Sequence, residues 1–76
     1  MKFGIEVDKI KDHYYATLHR FNDNGSTNAI DTFEAIDAKT KREAYDYARN
    51  KYSELRGHWI SQTPLKRDST GHVTDL

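Results

Sequence analysis

Seventy-six residues without a cysteine make one small domain and exclude both a disulfide framework and a thiolate metal site. Only 36% of the chain is apolar, and no run approaches the roughly 20 apolar residues of a membrane span, so the core is thin and little material is left for a water-excluding catalytic pocket. Twelve basic and twelve acidic side chains balance to zero, which removes the overall basic excess typical of a bulk polyanion binder.

Lys2 to Asp8 alternates, with Phe3, Ile5 and Val7 on one face and Lys2, Glu6 and Asp8 on the other, the pattern of a half-buried strand. This start lacks the apolar stretch of a signal peptide, and a cytoplasmic protein is expected. Lys9 to Asp12 reads as a charged turn with Ile10 tucked inward. His13 to Phe21, rich in aromatic and β-branched residues, is a second strand. Its Tyr14, Ala16 and Leu18 face is the more apolar, and His13, Tyr15, Thr17, His19 and Phe21 form the other.

The run Asn22-Asp23-Asn24-Gly25-Ser26 is the strongest turn signal, because Asn-Gly tolerates the positive φ of a hairpin connection. Asn28 to Asp37 is a third strand whose alternation slips: Ala29, Phe33 and Ala35 share one parity, Ile30 and Ile36 the other. A bulge near Thr32 or Glu34 would reconcile the two.

Thr40 to Gly57 predicts an amphipathic helix. Thr40-Lys41-Arg42-Glu43 has the residues of a capping box, and Gly57 suits the position just past a helix end. Ala44, Ala48 and Leu55 form the centre of its apolar stripe, with Tyr47 and Tyr52 on the flanks. His58-Trp59-Ile60 resumes an extended pattern as a fourth strand or an edge segment, limited by Pro64. Residues 67–76 read as a flexible polar tail, with a marginal hairpin turning at Asp68-Ser69-Thr70-Gly71 as the alternative. The expected fold is therefore α+β, with an antiparallel sheet of three or four strands and one helix on one face, in a single domain over residues 1–66.

Charge is unevenly placed. Residues 1–38 carry four basic and seven acidic side chains, net −3, whereas residues 39–56 carry six and three, net +3. An anionic partner would be met at the helix. There Arg42, Arg49 and Arg56, spaced by sevens, run along one edge beside Tyr45 and Tyr52. Arg and Tyr are enriched at binding hot spots, and Arg grips carboxylate or phosphate with two parallel hydrogen bonds. The competing reading is a solvated face, since Arg42 and Arg49 both stand at helical spacing from Asp46.

Other constellations are weaker. His13 and His19 are six strand residues apart, about 20 Å, too far to share an ion, and no site for a metal or cofactor is expected. Ser26, Ser53, Ser61 and Ser69 lie in no nucleophile motif, and the glycines form no phosphate loop, so no catalytic residue is assigned and a non-enzymatic protein is expected. Tyr15, His19 and Phe21 offer an aromatic strand face for base stacking unless another segment covers it.

Residues 32–51, with a strand ending in Phe-x-Ala, a short polar link and then Glu-Ala-x-x-x-Ala, resemble the strand-to-helix junction of small phage and mobile-element proteins, some anti-CRISPR proteins among them. The stretch is also similar to the arm-binding domains of phage integrases and to the HicB antitoxins. Unlike the integrase domains, its sheet segment is net negative, and the Gly-Cys element of HicB is missing, so no family site residue is carried over. The resemblance implies stoichiometric contact with a larger protein or nucleoprotein complex, in the manner of a phage-type inhibitor of a host defence complex. The alternative is a nucleic-acid-binding accessory protein using the arginine stripe or the aromatic sheet face.

Overall fold

A computed structural model describes residues 1–74. Three strands, β1 (Lys2–Ile10), β2 (His13–Phe21) and β3 (Thr27–Glu34), form an antiparallel sheet in the order β1-β2-β3. One helix, α1 (Lys41–Lys51), follows, then a 3₁₀ turn at Ser53–Leu55 and a two-stranded ladder of β4 (Lys66–Arg67) and β5 (Val73–Thr74). The protein is α+β, as the alternation and the helical stripe require.

The helix lies across β1 and β2. Ala44 and Ala48 are fully buried against Ile5, Val7, Ala16 and Leu18, because two methyl side chains let the helix backbone approach the sheet. Thr40 caps the helix, its hydroxyl accepting from Glu43 N at 3.1 Å. The Glu43 carboxylate returns to Lys39 N at 2.7 Å, one residue earlier than a standard capping box. Helical structure does not run unbroken to Gly57. Tyr52 leaves the α region as its ring packs on Phe33 and its hydroxyl donates to Asp31, and the chain tightens into the 3₁₀ turn before Gly57 at φ +88°.

The bulge exists, but at Ile30. Leu18 pairs with Asp31 and His19 with Ala29, so Ile30 has no partner across the strand and stands half exposed. β3 ends at Glu34 rather than Asp37. Ala35 N still donates to Tyr14 O at 2.9 Å, after which a turn with Asp37 at φ +66° closes through Ala38 N to Ala35 O. Ile10 does not tuck inward. β1 continues to pair through Ile10 and His13, which leaves the Ile10 side chain 54% exposed.

That register forces a two-residue hairpin connection, with Lys11 at φ +51° and Asp12 at φ +68°. Left-handed backbone costs a non-glycine residue roughly 1–2 kcal/mol, and Asn-Gly is the pair best suited to two such positions. The double variant Lys11→Asn/Asp12→Gly should therefore gain about 1 kcal/mol, raising the thermal midpoint by roughly 4–8 °C in a domain of this size. A midpoint unchanged or lowered in calorimetry would mean that this turn stores no such strain.

The largest departure from the sequence reading is the C-terminal segment. His58 to Ile60 runs along the free edge of β1 as a single parallel bridge, Phe3 N donating to His58 O and Ile60 N to Phe3 O, each at 2.8 Å. Leu65 N then donates to Ile5 O at 2.7 Å. The chain crosses to the outer face, where Leu65 fills the space beside Gly4; a Cβ on Gly4 would lie 2.8 Å from both Leu65 methyls. Residues 67–74, read from sequence as tail, instead form a hairpin with β4 whose Val73 is buried. Asp68 builds its turn, one carboxylate oxygen accepting from Thr70 Oγ1 and from the backbone of Thr70 and His72. The Thr70 and His72 hydrogen bonds hold the Asp68 carboxyl below its usual range against an opposing effect of desolvation. The remainder of the expected tail, residues 75–76, lies outside the described residues.

Candidate binding groove

One edge of α1 and the returning segment at Trp59–Gln62 form the two walls of an open groove of about 540 Å³. The first wall carries Arg42, Asp46 and Arg49, three and four residues apart and thus on one helix edge. Arg56, just past the 3₁₀ turn, lies at one end. The second wall is held in place by the parallel bridge of Trp59 to Phe3.

Tyr45 organises the groove. It is 2% exposed, so it supports the site from beneath instead of offering a contact surface. Its hydroxyl donates to Ser61 O at 3.3 Å and accepts from Arg49 Nη1 at 2.8 Å, tying helix to opposite wall. The Arg42 and Arg49 guanidinium carbons lie 5.3 and 5.6 Å from the Tyr45 ring centroid, within cation–π range. Arg49 also stacks on Trp59 at 4.6 Å. Its planar fork is therefore oriented before any ligand arrives.

Arg42 is partly engaged. Its Nε lies 3.3 Å from Asp46 Oδ1, and Nη1 donates to Gln62 O at 3.3 Å. Both side chains of the ion pair are more than half exposed, so solvent screens it and its contribution is small. Among the described residues, neither Arg49 nor Arg56 pairs with a carboxylate. The groove holds three guanidinium groups against one carboxylate, and Asn50 and Ser53 add neutral polar groups.

Of the five residues singled out from sequence, the structure brings Arg42, Tyr45, Arg49 and Arg56 together. Tyr52 is elsewhere, facing β3 with its ring on Phe33. Burial and the hydrogen bond to the charged Asp31 push its hydroxyl up to about 12, and it stays protonated as a donor. Sequence reasoning missed Trp59 and Gln62. The available signal was the extended Trp-containing segment that directly follows Gly57.

The aromatic sheet face is not assembled as a stacking platform. His19 is 4% exposed, its Nε2 donating to Glu6 Oε1 at 3.0 Å under the C-terminal hairpin. Arg67 completes this cluster with hydrogen bonds to both Glu6 carboxylate oxygens and one from Nη1 to Gly71 O at 2.7 Å. Burial raises the Glu6 carboxyl, but the Arg67 and His19 hydrogen bonds and the charges behind them outweigh it and hold Glu6 below its usual range. Tyr15 and Phe21 remain half-buried on either side.

Among the described residues no three His, Asp or Glu side chains are gathered to hold a metal ion, and no helix is long and apolar enough to cross a membrane. Comparison with known proteins returns no matching family model, no matching characterised relative and no matching solved structure, so the functional reading rests on geometry.

Proposed function

We propose that the protein is a small binding module that acts by stoichiometric contact with a larger protein or nucleoprotein complex, using the arginine groove as its contact. The observation that carries this reading is Arg49, a guanidinium fixed on Tyr45 and Trp59 yet lacking a carboxylate partner among the described residues. A pre-oriented guanidinium beside Arg56 leaves donor capacity for an anion from outside. The lining supports binding over proton transfer, since its one carboxylate is already paired with Arg42.

Charge reversal tests this. The triple variant Arg42→Glu/Arg49→Glu/Arg56→Glu should lose a partner that the wild type retains at one-to-one stoichiometry and whose crosslinks map to the groove. Circular dichroism checks that the variant keeps its fold. Identical retention by the folded variant, or crosslinks confined to another face, would overturn the assignment.

A further inference from the structure

Resting on that reading, we infer that the groove's occupant is a short acidic peptide segment of the partner, held by its carboxylates, and not a nucleic-acid backbone. Three observations favour the peptide. First, the Arg49 guanidinium lies over the Trp59 ring at 4.6 Å and occupies a face on which a base would stack. The other aromatic candidate, the outer face of β2, is interrupted where His19 is buried and bonded to Glu6. Single-stranded nucleic acid is thus offered charge in a groove whose tryptophan already has one face occupied.

Second, the positive charge is short. The groove's three arginines lie within residues 42–56, whereas residues 1–38, which make the sheet, are net −3. A long polyanion leaving the groove meets repulsion, but a segment of a few residues ends before it does.

Third, the spacing and the neutral lining match a peptide. Arg42 and Arg49 are two helical turns apart, about 10 Å along the axis. Carboxylates three residues apart on a polyproline-II chain project on one side at about 9 Å. The Asn50 and Gln62 side chains on opposite walls carry amides, the same donor and acceptor pair as a peptide bond. In this arrangement carboxylates take Arg42 and Arg49, the next charge reaches Arg56, and the amides engage the main chain between them.

Trp59 is the only tryptophan and lies in the groove, so its emission reports occupancy directly. Titration at low salt with hexaglutamate should give a saturable change, and hexaglutamine should give none. Arg56→Gln, an exposed substitution with little risk to folding, should weaken hexaglutamate about tenfold, the loss of one charge-assisted hydrogen bond. Arg49→Lys keeps the charge but loses the fork, and should weaken it at least as much. Hexathymidylate and inorganic phosphate should bind more weakly than hexaglutamate. The inference is overturned if hexaglutamate leaves Trp59 unchanged in the folded protein, if Arg56→Gln binds as well as wild type, or if hexathymidylate or phosphate binds as tightly. Should hexaglutamate fail while the charge-reversed variant still loses its partner, the contact surface stands and the acidic occupant falls. If hexaglutamate binds but charge reversal leaves partner capture intact, the broader assignment is the one that fails.

Discussion

Tyr45→Ala is expected to lose roughly 3–5 kcal/mol, a large fraction of the total stability, whereas Tyr45→Phe should lose only about 1 kcal/mol. Removing a buried aromatic ring costs roughly 3–5 kcal/mol, and a domain of this length has only about 4–11 kcal/mol to lose. Tyr45 is one of the two largest fully buried side chains, so the cavity would lie between helix, sheet and the Trp59 segment. The phenylalanine keeps that volume and gives up only the bonds to Ser61 O and from Arg49. Urea unfolding followed by circular dichroism separates the two. A Tyr45→Ala midpoint close to wild type would mean that the groove wall does not depend on this ring.

The second large effect concerns the cluster under the C-terminal hairpin. Glu6→Gln should cost about 1–3 kcal/mol, because the buried carboxylate that accepts from both His19 and Arg67 becomes an amide whose NH₂ group cannot accept from either. Arg67→Met should be worse, since it strands the Glu6 carboxylate in a site where its side chain is 7% exposed. The double variant Glu6→Leu/Arg67→Met removes both charges together and should be more stable than Arg67→Met alone. A double variant at or below that single variant would argue that the pair contributes net stability.

The pH dependence has a definite sign. Glu6 titrates in the folded protein below its ordinary value of 4.5. Its contribution is therefore fully present above that value and is lost as pH falls through the lower folded value. The stability gap between wild type and Glu6→Gln should be flat at neutral pH and narrow only below about pH 4.5. A gap that closed instead between pH 6 and 8 would place the titration on some other group.

What could be read from sequence was what neighbours in sequence decide. The Thr40 cap, the Asn24-Gly25 turn and the Ala44/Ala48 stripe are local chemistry, and all three are in the structure. The slip in β3 showed as parity, but its place did not, because Ile30 is ejected by pairing with β2 and not by its own neighbours. Tyr45 read as a surface residue while the helix was pictured against a sheet alone. It is buried because residues 58–62 return beside the helix, a contact that no helical wheel contains. The Glu6–His19–Arg67 cluster was least legible. Glu6 and Arg67 are 61 residues apart, and an alternating strand gives no hint that its polar face will be covered.

That cover has a consequence for biosynthesis. β1 is made well before the segment that closes over its outer face, which includes the buried Val73. At roughly 5–20 residues per second, several seconds separate the emergence of Glu6 from that of the hairpin that buries it. Over that interval the nascent sheet presents Gly4, a bare stretch of backbone, next to an edge with free amides and carbonyls. A charged Glu6 on the same face disfavours strand pairing between neighbouring nascent chains while Arg67 is still to come. The carboxylate that anchors the finished fold would thus also guard the unfinished one.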